Sequence, residues 1–212
     1  MLFTDRKHAG KLLANLLTKY KNDKNTIVIG LPRGGVVLAY EIAKELQLPI
    51  DIICARKIGA PYNPEFAIGA ITETGESFLD LGTIERLGIP KKYLDVEIKK
   101  ESEEAARRNV LYKKNFPPHD LEGKTVILVD DGIATGATMK ATIKAVKNKK
   151  AKTVIVAIPV AAPDTLREIK KEVNEVICLA APIFFQAVGQ FYEDFPQTSD
   201  QEVIDLLNED LK

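Results

Sequence analysis

The chain has no tryptophan, two cysteines, two histidines and three serines in 212 residues, and its 30 Lys+Arg cancel its 30 Asp+Glu. Each shortage excludes a chemistry. Cys54 and Cys178 lie in separate apolar runs, Ile52-Ile53-Cys54 and Val176-Ile177-Cys178, where a thiol behaves as a small buried hydrophobe. With no C-x-x-C and no H-E-x-x-H, a closed zinc cage is not expected. No serine lies in G-x-S-x-G, and His8 and His119 sit among charged residues, where surface positions are expected, so a serine hydrolase lacks its parts. Zero net charge supplies no global positive field to hold a nucleic-acid backbone. No apolar run approaches the roughly 18 residues of a membrane helix. The start, MLFTDRKHAGKLLANLL, mixes charges into its apolar positions and does not read as a signal peptide. The expectation is a cytoplasmic protein in a reducing compartment, with no nucleic-acid or membrane partner.

What is present reads as one globular unit over 1–212, with a core of about 21–180 and a smaller part from 181–198 plus terminal helices. Ala9, Leu12, Leu13, Leu16 and Leu17 recur at helical spacing within Asp5 to Tyr20. Thr26 to Leu31 is a short apolar strand, followed by Pro-Arg-Gly-Gly and a helical pattern from Val36 to Leu46. Ile50 to Ala55 predicts a second strand, and Arg56 to Pro64, dense in Gly, Pro and Asn, a mobile loop. Phe66 to Thr72 and Ser77 to Leu81 predict a hairpin. The charged stretch between Lys91 and Phe116 predicts a long helix stopped by Pro117-Pro118, with Glu103 and Glu104 four residues ahead of Arg107 and Arg108. Strand Lys124 to Val129, helix Ala137 to Lys149, strand Thr153 to Ile158, helix Asp164 to Glu172 and strand Glu175 to Leu179 then alternate. That alternation predicts an α/β fold with a mainly parallel sheet flanked by helices. The lysines between Lys140 and Lys152 read as a water-facing helix side. Gly123-Lys124-Thr125 imitates the end of a P-loop, but it opens a strand and the earlier glycine is Pro118.

One segment carries chemistry. Val126-Ile127-Leu128-Val129-Asp130-Asp131-Gly132-Ile133-Ala134-Thr135-Gly136-Ala137-Thr138 is a buried strand, two acids, a loop of small residues and the start of a helix. Loop amides and the Thr135 and Thr138 hydroxyls at a helix N-terminus suit a phosphate monoester, and Gly136 admits close backbone approach. Paired carboxylates at the strand's end suit vicinal hydroxyls. Phosphate plus diol describes ribose 5-phosphate.

The run VILVDDGIATGAT resembles the phosphoribosyl-diphosphate (PRPP) motif of the type I phosphoribosyltransferases. The resemblance implies that family's twisted sheet with a small hood, with Asp130 and Asp131 on the ribose hydroxyls and Ala134, Thr135, Gly136, Ala137 and Thr138 on the 5-phosphate. It implies a pyrophosphate loop at Leu31-Pro32-Arg33-Gly34-Gly35, where Arg33 offers a fork to phosphate oxygens, Gly34 and Gly35 expose amides, and a cis peptide is expected at Pro32–Arg33. Arg56 and Lys57 match the start of the family's flexible catalytic loop and would stabilise departing pyrophosphate, with Tyr62 and Glu65 as weaker candidates for closed-state contacts. Phe184 and Phe185, in the aromatic stretch Ala181 to Phe195, would stack on an acceptor base as part of the hood. The whole chain is most similar to an uncharacterised group of phosphoribosyltransferases.

The resemblance implies transfer of the 5-phosphoribosyl group from PRPP to a nitrogen acceptor, a nucleobase first, with release of pyrophosphate. It implies Mg²⁺ arriving mainly on the oxygens of PRPP, and a homodimer. The acceptor stays open, because 6-oxopurine members place an acid where this chain has Ala134. Two alternatives remain: a non-catalytic PRPP or nucleotide sensor, and a PRPP or nucleotide hydrolase.

Overall fold

The computed structural model describes residues 2–114 and 119–209. Helix α1 (Arg6–Leu16) and a 3₁₀ turn (Thr18–Tyr20) lead into strand β1 (Thr26–Gly30), α2 (Gly34–Leu46) and β2 (Ile50–Ile52). Strands β3 (Ala55–Ala60), β4 (Asn63–Thr72) and β5 (Ser77–Leu79) precede α3 (Leu81–Arg86) and α4 (Lys91–Tyr112). The chain continues through β6 (Thr125–Val129), α5 (Ala137–Asn148), β7 (Thr153–Val160), α6 (Pro163–Glu172) and β8 (Glu175–Ala180). A 3₁₀ turn (Val188–Phe191) and α7 (Asp200–Glu209) follow.

The main sheet is five-stranded and parallel, in the order β2-β1-β6-β7-β8. Its strands are apolar on both faces, as a sheet covered on both sides requires. Alternation sends Val28 and Ile127 toward α1, α2 and α7. Ile27, Ile29, Val126 and Leu128 face α5 and α6. Successive elements build outward from β1 to β2 and then, in the other direction, from β6 to β8. The order therefore reverses between β1 and β6, which opens a crevice at the carboxyl ends of those two strands.

The stretch expected as a mobile loop from Arg56 is strand β3, paired antiparallel with β4 in a separate three-stranded sheet β3-β4-β5. The turn residues that suggested a loop have other uses. Register shifts fall at Gly59 and Ala60, and a Cβ on Gly59 would lie 2.4 Å from the Pro64 carbonyl oxygen, so Gly59 lets the two strands approach. Ala67 and Ala70 pack this sheet on Ala137 and Ala141 of α5. Ile58, Ile68 and Ile71 pack its other face with Ile84, Ile89 and the α4 residues Tyr93, Leu94 and Ile98.

Smaller departures have equally local causes. Lys140 is buried, pairs with Glu168 at 2.5 Å and lies over the Phe78 ring, because it falls on the α5 side that meets β5 and α6. His8 is exposed as expected, but His119 is half-buried with Nδ1 3.5 Å from the buried Asp51 carboxylate, which also holds Lys113 at 2.7 Å. Cys54 is buried, and burial pushes its thiol up, which keeps it unreactive. The expected stop at Pro117-Pro118 lies outside the described residues.

Candidate functional site

Two helices begin at the crevice. Among the described residues, neither α2, starting at Gly34 after β1, nor α5, starting at Ala137 after β6, has its first amides bonded by a side chain at its N-cap. Each therefore presents unpaired N–H groups and the positive end of a helix dipole. Because β1 and β6 are neighbours, both ends open onto the same space. Two anionic groups can sit there, one at each helix start.

Asp130 and Asp131 follow β6 directly, between those helix ends. Asp130 Oδ1 accepts the Asp131 backbone N–H at 2.9 Å. The Leu31 N–H donates to the Val129 carbonyl at 2.9 Å, which ties the loop after β1 to the acids, and the peptide between Pro32 and Arg33 is cis as expected. No side chain fits in the gap: a Cβ on Gly34 would lie 2.0 Å from Asp131 Oδ2, and one on Gly35 2.7 Å from the Val129 carbonyl oxygen.

Asp131 is also held from the far ends of the chain. Its Oδ2 accepts Arg6 Nε at 2.8 Å, Arg6 Nη1 donates to the Pro196 carbonyl at 2.7 Å, and the guanidinium lies 3.7 Å over the Phe195 ring. The Tyr192 hydroxyl donates to the Asp131 carbonyl oxygen at 2.6 Å. Burial pushes both carboxyls above the ordinary aspartate range, and the Asp131 charge pushes Asp130 further. Arg6 and Lys57 oppose the rise at both. Crowded carboxyls facing a solvent-poor crevice are poised to accept hydrogen bonds from a ligand that brings donors.

The loop from Ala134 to Thr138 is clamped by α6. Thr165 Oγ1 donates to the Ala134 carbonyl at 2.6 Å, while Gly136, with φ 74°, would place a Cβ 2.6 Å from Thr165 Cγ2. Ala134 and Thr135 are exposed and Thr138 half-buried at the start of α5. Gly136→Ala is expected to destabilise the fold by about 1–3 kcal/mol through the left-handed φ and the Thr165 contact. Thermal unfolding of the two proteins checks it.

The expected cations separate. Cross-strand pairing puts Lys57 beside Ala70, on the sheet face that meets α5, and Arg56 beside Ile71, on the face that meets α4. Lys57 is exposed and acts electrostatically on both acids, whereas Arg56 Nε binds Glu101 of α4 at 2.8 Å. Arg33 Nη1 lies 3.6 Å from Asp200 Oδ1 at the start of α7, and that oxygen also accepts the Tyr112 hydroxyl at 2.6 Å. Glu65 and Tyr62 are exposed near the β3–β4 turn, where Tyr62 lines a separate groove of about 620 Å³ with Phe66, Leu87 and Tyr93. In the hood, Phe184 is 88% exposed, while the Phe185 ring is half-buried and packs against Phe191 at 5.4 Å. Val188 rests on Gly132, where a Cβ would meet it at 2.5 Å.

Among the described residues no group of three or more His, Cys, Asp or Glu could enclose a metal ion. One oxygen of Asp131 is already taken by Arg6. This donor set fits a divalent ion that arrives on a substrate's oxygens and does not fit a resident one.

Arg6, Tyr192 and Asp200 converge on the crevice without having been singled out in the sequence. Arg6 left a usable signal: it lies three residues before Ala9 and seven before Leu13, on the apolar stripe of α1, and a charge on such a stripe needs a buried partner. Tyr192 and Asp200 left none, since their roles depend on how the chain's end folds back.

The family described as phosphoribosyl transferase domain matches residues 4–196. A Mycobacterium tuberculosis protein (strain ATCC 25618 / H37Rv), provisionally named a phosphoribosyl transferase, is 40% identical over 207 residues, covering 98% of this chain and 46% of that one. The chain thus spans about half the length of the curated relatives it matches first. A uracil phosphoribosyltransferase of Staphylococcus haemolyticus (strain JCSC1435) is 25% identical over 153 residues, covering 67% of this chain and 68% of that one. Among solved structures, the protein TT1426 from Thermus thermophilus superimposes with a TM-score of 0.81 at 40% identity, over 99% of each chain. No helix among the described residues is long and apolar enough to cross a membrane.

Proposed function

We infer that this chain, which belongs to the phosphoribosyl transferase family, moves the 5-phosphoribosyl group of PRPP to a nitrogen acceptor and releases pyrophosphate. The observation that carries the reading is the pairing of two helix starts without side-chain caps around adjacent carboxylates at the sheet's reversal point. PRPP has three matching parts: a phosphate monoester, a vicinal diol and a diphosphate.

In this reading the α5 start, with Thr135 and Thr138, takes the 5-phosphate, and Asp130 and Asp131 accept hydrogen bonds from the ribose hydroxyls. The α2 start and Arg33 take the diphosphate, with Lys57 facing it across the crevice. The ribose C1–O bond to pyrophosphate breaks with oxocarbenium character and a C1–N bond forms with inversion. Rigid placement of both phosphates fixes C1 between leaving group and acceptor, and Lys57 steadies the charge that grows on pyrophosphate. Mg²⁺ carried on PRPP would supply neutralisation of the diphosphate charge.

A nucleobase is the acceptor favoured here, because a relative is a uracil phosphoribosyltransferase and Phe184 leaves its ring exposed. Phe184→Ala is expected to raise the acceptor's KM roughly 2- to 10-fold with PRPP affinity unchanged; steady-state kinetics in both substrates read this. A cytoplasmic homodimer belongs to the same reading.

One observation favours a PRPP-binding protein without turnover: Arg33 and Arg56 are each engaged by a carboxylate, Asp200 and Glu101. Both readings require PRPP to bind. Calorimetric titration with PRPP and Mg²⁺ is expected to show one site per chain, lost in Asp130→Asn/Asp131→Asn. Absence of binding, or binding untouched by that double change, would sink the assignment.

A further inference from the structure

We propose that Arg6 is a positioning residue of the substrate site, holding the Asp131 carboxylate aimed and charged for the ribose hydroxyls; the proposal rests on the phosphoribosyl reading above. Arg6 is only 8% exposed and sits in the first turn of α1, on its buried face. Its guanidinium has three fixed neighbours: Asp131 Oδ2 at 2.8 Å, the Pro196 carbonyl at 2.7 Å and the Phe195 ring at 3.7 Å. A planar fork gripped on two edges and one face has little freedom left, and it passes that rigidity to the carboxylate. Tyr192 fixes the backbone of the same residue, through its carbonyl oxygen. Among the described residues no hydrogen bond engages Asp131 Oδ1, the oxygen left for a ligand.

An ion pair placed only for stability would be indifferent to which acid it joined. This one joins an acid of the crevice, and its other contacts, Phe195 and Pro196, come from the segment after β8 whose Val188 rests on Gly132 beside that acid. The charged and titratable groups facing Asp131 are Arg6 from α1, Lys57 from β3, Asp130 beside it and Tyr192 from the hood. Without Arg6, Lys57 remains among these groups as a cation, and among the described residues no hydrogen bond joins it to Asp131. The carboxyl would then hold a proton more tightly, and a protonated acid is a poorer acceptor for a hydroxyl.

The test reads Asp131 directly and PRPP separately. The aspartate side-chain carboxyl is titrated by ¹³C NMR in the unliganded full chain, for wild type, Arg6→Gln, Arg6→Lys and Phe195→Leu. Arg6→Gln is expected to raise the Asp131 midpoint by about one unit or more. Arg6→Lys keeps the charge and is expected to move it less, while Phe195→Leu, which removes only the stacking face, leaves it in place. PRPP affinity with Mg²⁺ in Arg6→Gln is expected to fall roughly tenfold at the low end of a pH series and to recover as pH rises. A midpoint unmoved in both Arg6 variants, or an affinity loss equal at every pH, overturns the proposal. Failure of the wild type to bind PRPP overturns the functional reading instead, and the NMR titration distinguishes the two.

Discussion

Asp130→Asn is expected to melt at a higher temperature than the wild type while losing most of its PRPP turnover. The carboxyl of Asp130 is pushed well above its ordinary range, first by burial and then by Asp131, so its ionised form weighs against folding. An acid whose folded value is raised contributes stability that is complete below the unfolded aspartate range and is lost as pH rises through the folded value. Neutral pH lies above the unfolded aspartate range, so at least part of that stability is already lost there in the wild type. Asparagine removes the charge and keeps an oxygen to accept the Asp131 N–H, now at 2.9 Å. A gain of about 1–2 kcal/mol, roughly 2–8 °C, is expected, and it grows with pH across the window. The difference between variant and wild type isolates this group, because carboxyls held low, such as Glu104 between Arg107 and Arg108, act with the opposite sign in both proteins. Turnover should fall by about 10- to 100-fold for one lost hydroxyl–carboxylate bond. Calorimetric melts against pH, beside pyrophosphate release, check both halves; a lower melting temperature would contradict the account of a carboxyl kept for function at a cost to the fold.

Gly35→Ala is expected to damage both the fold and the turnover. Its Cβ would lie 2.7 Å from the Val129 carbonyl oxygen and 3.0 Å from Asp130 Cα, and neither atom can rotate away. Helix α2 must move off the end of β6, which costs about 1–3 kcal/mol by overpacking. The same movement shifts the α2 start from the acids, and a displacement near 1 Å at a reacting site lowers rate by roughly 100-fold. Gly82→Ala is the control, since its nearest neighbour, Asp80 Oδ1, would be 3.7 Å away and the residue lies in α3. Equal melting temperatures and equal turnover in the two variants would show that close approach at Gly35 is not what the crevice requires.

The alternating core and the acidic segment could be read from sequence because local rules decide them. Val126 to Val129 is apolar on both faces, and the acids and small loop follow in register with a helix start, so period and punctuation agree. Strand β3 was hidden because its pairing depends on β4, and its own Arg56, Lys57, Gly59 and nearby Pro61 read locally as a loop. The split of Arg56 from Lys57 follows only once that strand exists, since adjacent residues of a strand face opposite ways. The grip of Arg6 on Asp131 spans 125 residues of chain, and no local pattern encodes such a contact beyond the odd placement of a charge on a buried helix face.

The measurement that bears most directly on the central claim is pyrophosphate release from PRPP and Mg²⁺ across a panel of nucleobases and amines. It runs beside a control without acceptor and the Asp130→Asn/Asp131→Asn protein. The account predicts release that depends on one acceptor and disappears in the double variant. Equal release without any acceptor would make the protein a hydrolase, and release that survives loss of both acids would contradict the crevice as the place where ribose is held.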